Sequence, residues 1–306
     1  MCSGFRLYSL RMLPSAAHSM KNRVIAAILC ALSSPAAHAA CPTPEQIAAL
    51  AKDWIEARPA KSLGADLSME EALCAQGLLV KELQKTHGRA VGYKAGLTNK
   101  AVQQRFNHPA PVRGVLLEEM LLYDGAEIPA DFGARPQFEA DLVVEVKDDG
   151  INDARTPAEV LHHLSRIYPF IELPDLVLAP TEAMTGPVIA SINVGARLGV
   201  LGKPLTIAAN EALVEALGKM SVVMTDQDGK ELARAPGAAI LDHPLNAVIW
   251  LAADLRKAGI RLKAGDLLSL GSFSPPLPPK AGTAVKVKYE GLPGNPEVSV
   301  RFGALP

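Results

Sequence analysis

The ten residues from Gln137 to Val146 constrain this chain more than any others. Phe138, Ala140, Leu142, Val144 and Val146 alternate with Glu139, Asp141 and Glu145. An extended strand turns a period of two into one apolar and one acidic face. Such a strand lays its apolar face on a core and gathers its carboxylates on the other side. Glu139 and Asp141 then project in one direction, about 6–7 Å apart along the backbone. A third acid, Glu172, closes the apolar stretch Tyr168-Pro169-Phe170-Ile171. Three carboxylates with positions left open for water and substrate suit Mg²⁺ or Mn²⁺, which prefer hard oxygen ligands. On spacing alone, Glu139 and Asp141 also suit a solvated polar face. No Cys or His cluster has zinc spacing, and His162 and His163 are adjacent on a predicted helix, pointing apart.

Around this strand the pattern is helices first, then a strand-rich body. Pro44 to Ala57 has helical spacing, and Ser68 with Glu71 forms a capping box opening a helix toward Gly88. Thr156 caps a predicted helix through about Ile167, followed by a strand from Tyr168 to Leu173. Asp228-Gly229 marks a hairpin within Ser221 to Ala235. Asp242 and Pro244 open an amphipathic helix that ends at Gly259. Strands near Asp266 to Leu270, Thr283 to Tyr289 and Glu297 to Phe302 finish the chain. With no repeat or low-complexity linker, this reads as one α+β domain over residues 41–306 with helices at its N-terminal end.

Residues 1–40 read as an export signal. They hold Arg6, Arg11, Lys21 and Arg23 and no acid, and the first carboxylate is Glu45. From Met20 a basic stretch leads into the apolar run Val24 to Leu32 and then Ala37-His38-Ala39, a small-x-small cleavage pattern. Nine apolar residues are too few to span ~30 Å of hydrocarbon, so no membrane span is expected after cleavage near Ala39 or Ala40. Residues 1–19 read as an upstream extension. Cleavage removes four basic residues and takes the formal charge from -1 to -5. A general affinity for nucleic acid then has no electrostatic basis. Of the 4 cysteines, Cys41 and Cys74 remain; a periplasmic or secreted setting points to one disulfide between them, and two unpaired, partly buried thiols are the other reading.

Two further features bear on chemistry. Lys94 lies inside the short apolar strand Gly92-Tyr93-Lys94-Ala95-Gly96, where a buried ammonium needs a partner or a task. A surface lysine with its stem on the sheet fits the same pattern. Gly96 leaves room for a ligand to approach the backbone. Leu270-Gly271-Ser272-Phe273-Ser274 is a Gly-Ser turn after a strand, and its amides and hydroxyl suit a carboxylate.

With Gly92 to Thr98, Gly114-Val115-Leu116 and Pro136 to Asp141 in hand, the chain resembles the 2-keto-4-pentenoate hydratase and 4-oxalocrotonate decarboxylase group of the fumarylacetoacetate hydrolase superfamily. Pro169, Glu172 and Asp175 match a Pro-x-x-Glu-x-x-Asp segment, and the matches continue through His243-Pro244-Leu245-Asn246, Trp250-Leu251 and Gly271-Ser272 to Lys280-Ala281-Gly282. The resemblance covers roughly residues 45–303. It implies a mixed β-roll, a homo-oligomer, and a divalent metal held by Glu139, Asp141 and Glu172 that chelates a small 2-keto acid. It also implies an active-site role for Lys94, and substrate contacts at Leu97, Thr98, Gly271, Ser272 and Asn193. This group works in aromatic catabolism.

The chain also departs from the group. Asp141 stands where Glu is usual, and Pro111-Val112-Arg113-Gly114 replaces Pro-Asp-aromatic-Gly. Arg113 then either grips a second substrate carboxylate or faces solvent. Around Ser191 to Ala196 only Asn193 lines up with the group's Asp-Asn-Ala-Ser-Ser-Gly. Three readings stay open: an exported hydratase, a decarboxylase or C–C hydrolase of the superfamily, and a non-catalytic module that binds a keto acid or metal.

Overall fold

The computed structural model describes residues 41–304. The export signal read in residues 1–40 lies outside them. Capping boxes start both N-terminal helices, Thr43 with Gln46 on α1 (Pro44–Ile55) and Ser68 with Glu71 on α2 (Met69–His87). Helix α1 stops short of the expected Ala57, which is left-handed with φ 51°. Cys41 and Cys74 form a disulfide with Cα atoms 5.7 Å apart, tying the start of α1 to α2.

The bridge closes a loop over a sequence separation of 33 residues, which corresponds to about 3–4 kcal/mol of unfolded-state entropy. Cys74→Ser is expected to lower the melting temperature by roughly 10 °C. A calorimetric scan with and without reductant checks this. Wild type in reductant should match the variant.

After α2 the chain runs through β1 (Ala90–Gly96), α3 (Lys100–Arg105), β2 (Val112–Leu117), β3 (Leu121–Tyr123), β4 (Ala126–Pro129) and β5 (Glu139–Val146). Next come α4 (Pro157–His162), β6 (Leu164–Leu173), α5 (Gly186–Ser191), β7 (Leu198–Leu201), β8 (Leu205–Thr206) and α6 (Glu211–Lys219). The hairpin β9 (Ser221–Asp226) and β10 (Glu231–Pro236) precedes α7 (Leu245–Lys257), β11 (Leu267–Ser269), β12 (Thr283–Glu290) and β13 (Glu297–Gly303). The helix expected from Thr156 to Ile167 is only α4. At His163 the chain turns into β6, where the His163 carbonyl accepts the Lys147 amide and pairing with β5 begins.

Two mixed sheets result, an α+β architecture. The larger has the order β2-β1-β11-β5-β6-β7-β3, with β8 added beside β6, and the smaller has β10-β9-β12-β13-β4. The larger sheet is strongly curled: Lys94 on β1 pairs with Glu172 on β6, although β11 and β5 lie between them. As the alternation demanded, Phe138, Ala140, Leu142, Val144 and Val146 enter the main core with Ile171, Leu268, Val285 and Val287. A second cluster packs Leu50, Trp54, Leu79 and Leu83 of α1 and α2 against Leu117 and Met120. The acidic residues of β5 are left on the opposite, concave face. Among the described residues no helix is long and apolar enough to cross a membrane.

Tyr289, on β12, reaches through from the core side. Its hydroxyl accepts the Phe170 amide at 3.1 Å and donates to the Asp141 carbonyl. Asp141 and Phe170 are register partners on β5 and β6. A phenol is therefore inserted into the ladder directly beneath the acidic face.

Candidate active site

Strand register alone gathers the acidic face. Glu139 pairs directly with Glu172 across β5 and β6, so their side chains stand side by side. Asp141 follows two residues along β5 on the same face. Lys94 pairs with Ser269, and Ser269 with Val143, which brings the lysine to that face from β1. Lys94 and Glu172 are each 3% exposed, and Asp141 is 0% exposed, so the solvated-face reading fails for these three. Glu139 is the partly exposed member.

Three carboxylates share one cation here. The Lys94 ammonium donates to the Glu172 carboxylate and, at 3.0 Å, to the Val194 carbonyl. Desolvation and the charge of Glu172 push Glu139 well above the usual carboxylate range, against the pull of Lys94. A carboxyl–carboxyl hydrogen bond to Glu172 acts in the same direction. Burial, then the charge of Glu172, pushes Asp141 up to about 8, against the hydrogen bond from Ser269. Three acids against one ammonium leave two formal negative charges, the amount a divalent cation balances.

Asp141 is held more tightly than a free ligand needs to be. Its Oδ1 accepts the Leu270 amide at 3.2 Å and the Gly271 amide at 3.0 Å, and its Oδ2 accepts the Ser269 hydroxyl at 2.6 Å. The Gly-Ser turn does bind a carboxylate, and that carboxylate belongs to the protein. Gly271, at φ 110°, leaves the space that Thr98 fills. Among the described residues no three His, Cys, Asp or Glu side chains are arranged to hold a metal ion. The donor set nevertheless fits one in chemistry and charge, because all three ligands are hard oxygens and two resist ionisation without a cation. Glu139, Asp141 and Glu172 are the groups that would hold it.

No protein-family model matches the chain. Its curated relatives are more informative. The 2-keto-4-pentenoate hydratase of Burkholderia vietnamiensis is 31% identical over 213 residues, 69% of this chain and 79% of that relative. This chain belongs to the 2-keto-4-pentenoate hydratase family. The 2-oxo-hept-4-ene-1,7-dioate hydratase of Escherichia coli is 29% identical over 84% of this chain and 92% of its own length. Among solved structures, 4-oxalocrotonate decarboxylase from Pseudomonas putida G7, complexed with magnesium and adipate, superposes with a TM-score of 0.73 at 23% identity, covering 85% of this chain and 98% of that one. That likeness shows that the two chains share a fold.

Within this hydratase-family fold, several residues expected at the site stand elsewhere. Arg113 is neither solvent-facing nor free for a substrate. In the β1–β2 register Lys94 faces Gly114 and Ala95 faces Arg113, so the two cations lie on opposite sides of the sheet. Arg113 points to α7 and pairs with Asp254 there, 9% exposed. Asn193 is fully buried, and its amide is spent on the main chain of Val115. The Ser272 hydroxyl donates to the Ser274 carbonyl at 2.7 Å, inside its own turn. Leu97, at φ 56°, packs among Val112, Ile189 and Val194. Space at Gly96 goes to the Val194 side chain, since a Cβ there would lie 2.5 Å from Val194 Cγ1. Ser269, Val194 and Tyr289 were missed from the sequence. Tyr289 had one signal, as the only polar residue among Val285, Val287 and Tyr289 on the apolar face of β12.

Proposed function

We propose that this protein is an exported, divalent-metal-dependent hydro-lyase acting on a small 2-hydroxy-dienoate, the enol form of a 2-keto acid, such as 2-keto-4-pentenoate. The observation that carries the reading is the convergence of Glu139, Asp141, Glu172 and Lys94 on one concave face, in a chain whose relatives are named hydratases. Bound there, the metal would supply a Lewis acid for the carboxylate and 2-oxo oxygens of the substrate. Lys94 is the cationic side chain on this face, its Nζ fixed between Glu172 and the Val194 carbonyl. Hydration moves the 2-hydroxyl proton of the dienol to carbon and then adds one water across the remaining conjugated bond, and Lys94 is placed to relay the proton. Ser269 and the Leu270 and Gly271 amides keep Asp141 turned to the same face. With Arg113 committed to Asp254, it offers nothing to a second substrate carboxylate, which favours a monocarboxylate. Export is supported by the basic, acid-free leader and by the Cys41–Cys74 disulfide. The reading includes a mature domain of residues 41–306 and a homo-oligomer.

The test is the ultraviolet absorbance of 2-hydroxypenta-2,4-dienoate mixed with purified protein and Mg²⁺ or Mn²⁺. Metal-dependent loss of the diene is expected, and Glu139→Ala should slow it by ~100-fold or more. Metal binding without any loss of diene would overturn the hydratase reading in favour of a keto-acid-binding role.

A further inference from the structure

Behind Lys94 the backbone takes a form that ordinary residues avoid. Asn193, Val194 and Gly195 are three consecutive left-handed residues, with φ 55°, 54° and 66°. Glycine adopts this region freely and asparagine tolerates it, but a β-branched valine is a true outlier there. Such a turn persists only where its surroundings over-determine it. Here they do so at three points. Asn193 Oδ1 accepts the Val115 amide at 2.7 Å, while its Nδ2 donates to the Val115 carbonyl at 2.9 Å. The Asp175 amide donates to the Gly195 carbonyl at 2.9 Å. Gly114 supplies the room, because a Cβ there would lie 2.8 Å from the Asn193 carbonyl oxygen.

This strained turn delivers one chemical group. The Val194 carbonyl accepts Lys94 Nζ at 3.0 Å, the second of its two acceptors. We infer that Asn193 is a positioning residue: its two-bond clamp on Val115 fixes the left-handed turn so that the Val194 carbonyl holds Lys94 Nζ over the acidic face. The side chain acts through the main chain and touches no reacting atom. The consequence for turnover rests on the hydro-lyase reading above, whereas the clamp itself does not.

Asn193→Ala removes both hydrogen bonds and the asparagine's tolerance of positive φ. Asn193→Gly removes the bonds but keeps the backbone freedom, and the isosteric Asn193→Asp keeps only the bond from the Val115 amide. Two readouts are taken on the full-length protein, with folding checked by circular dichroism. The first is steady-state kinetics, where kcat should fall about 10- to 100-fold in the Ala and Gly variants and less in Asp, with KM little changed. The second is the rate of reductive methylation of Lys94, followed by peptide mass spectrometry. It should rise by ~10-fold or more in the Ala and Gly variants as the amine loses its tether. Unchanged protection of Lys94 in the folded variants overturns the inference. So does recovery of wild-type protection by Asn193→Gly, which would leave φ alone as the requirement. If Ala does not fold, Gly and Asp decide. A wild-type protein without turnover would sink the hydro-lyase reading, and the methylation arm would still test the clamp.

Discussion

Replacing Lys94 with methionine is expected to lower kcat for the dienoate by about a thousandfold. Methionine fills the same buried volume but carries no proton, and Lys94 is the ammonium that bridges Glu172 and the Val194 carbonyl. Steady-state kinetics at saturating Mn²⁺ measure the loss. A second consequence follows from charge. Without the ammonium, Glu172 is left buried beside Glu139 and Asp141 with its ion-pair partner gone, and losing one partner of a buried ion pair destabilises by about 3–5 kcal/mol. The metal-free variant should therefore melt well below wild type, with most of the difference recovered in Mn²⁺. Turnover within tenfold of wild type would remove Lys94 from the chemistry.

Stripped of divalent cations, the protein should become less stable as the pH rises from 7 to 8. Asp141 releases its proton near 3.8 in an unfolded chain but only at about 8 in the fold. Between those values the folded state holds a proton that the unfolded state has given up, so stability falls with rising pH by up to ~1.4 kcal/mol per unit for each such group. Glu139, pushed the same way, adds to the slope. His87, His108 and His243 work in the opposite sense, since burial holds each below its ordinary 6.5, and their contribution is complete by about pH 7. Across this window the acids dominate, and a melting temperature lower by roughly 3–6 °C is expected. Millimolar Mg²⁺ or Mn²⁺ should reverse it at pH 8, because the cation takes the place of the protons. A flat or rising profile in chelator would mean that the carboxylates are not crowded as described.

The elements most legible in the sequence were those with strong local signals. The period-two alternation of β5, the Ser68–Glu71 capping box, the Asp228-Gly229 turn and the Gly259 stop are each written within a few residues of where they act. The strands β3, β4, β7 and β8 are two to four residues long, too short for a period to register. Register was the larger gap at the site. Arg113 sits beside Gly114 in sequence, yet the antiparallel pairing of β1 and β2 sends it to the core side while Lys94 takes the other. No local pattern encodes that choice. Asp141 was legible as an acid on the right face, but its capture by Ser269 and two amides depends on β11 arriving from 128 residues away. Asn193 was read as a substrate contact, whereas its amide bonds the main chain of Val115, a partner 78 residues away that no local pattern encodes.

Tyr289 gives the site an order of assembly. The spacing of β5 and β6 at Asp141 depends on a phenol 148 residues further along the chain. Long-range contacts of this kind form only after a large loop has closed, later than neighbouring strands can pair. Until β12 docks, the two strands lack the hydroxyl that sits between them at Asp141 and Phe170. The register of β5 and β6 sets Glu139 beside Glu172 without β12, and the Tyr289 bridge beneath Asp141 is added to a pairing those strands already make. The phenol thus locks from below a juxtaposition of charges that strand pairing has already created.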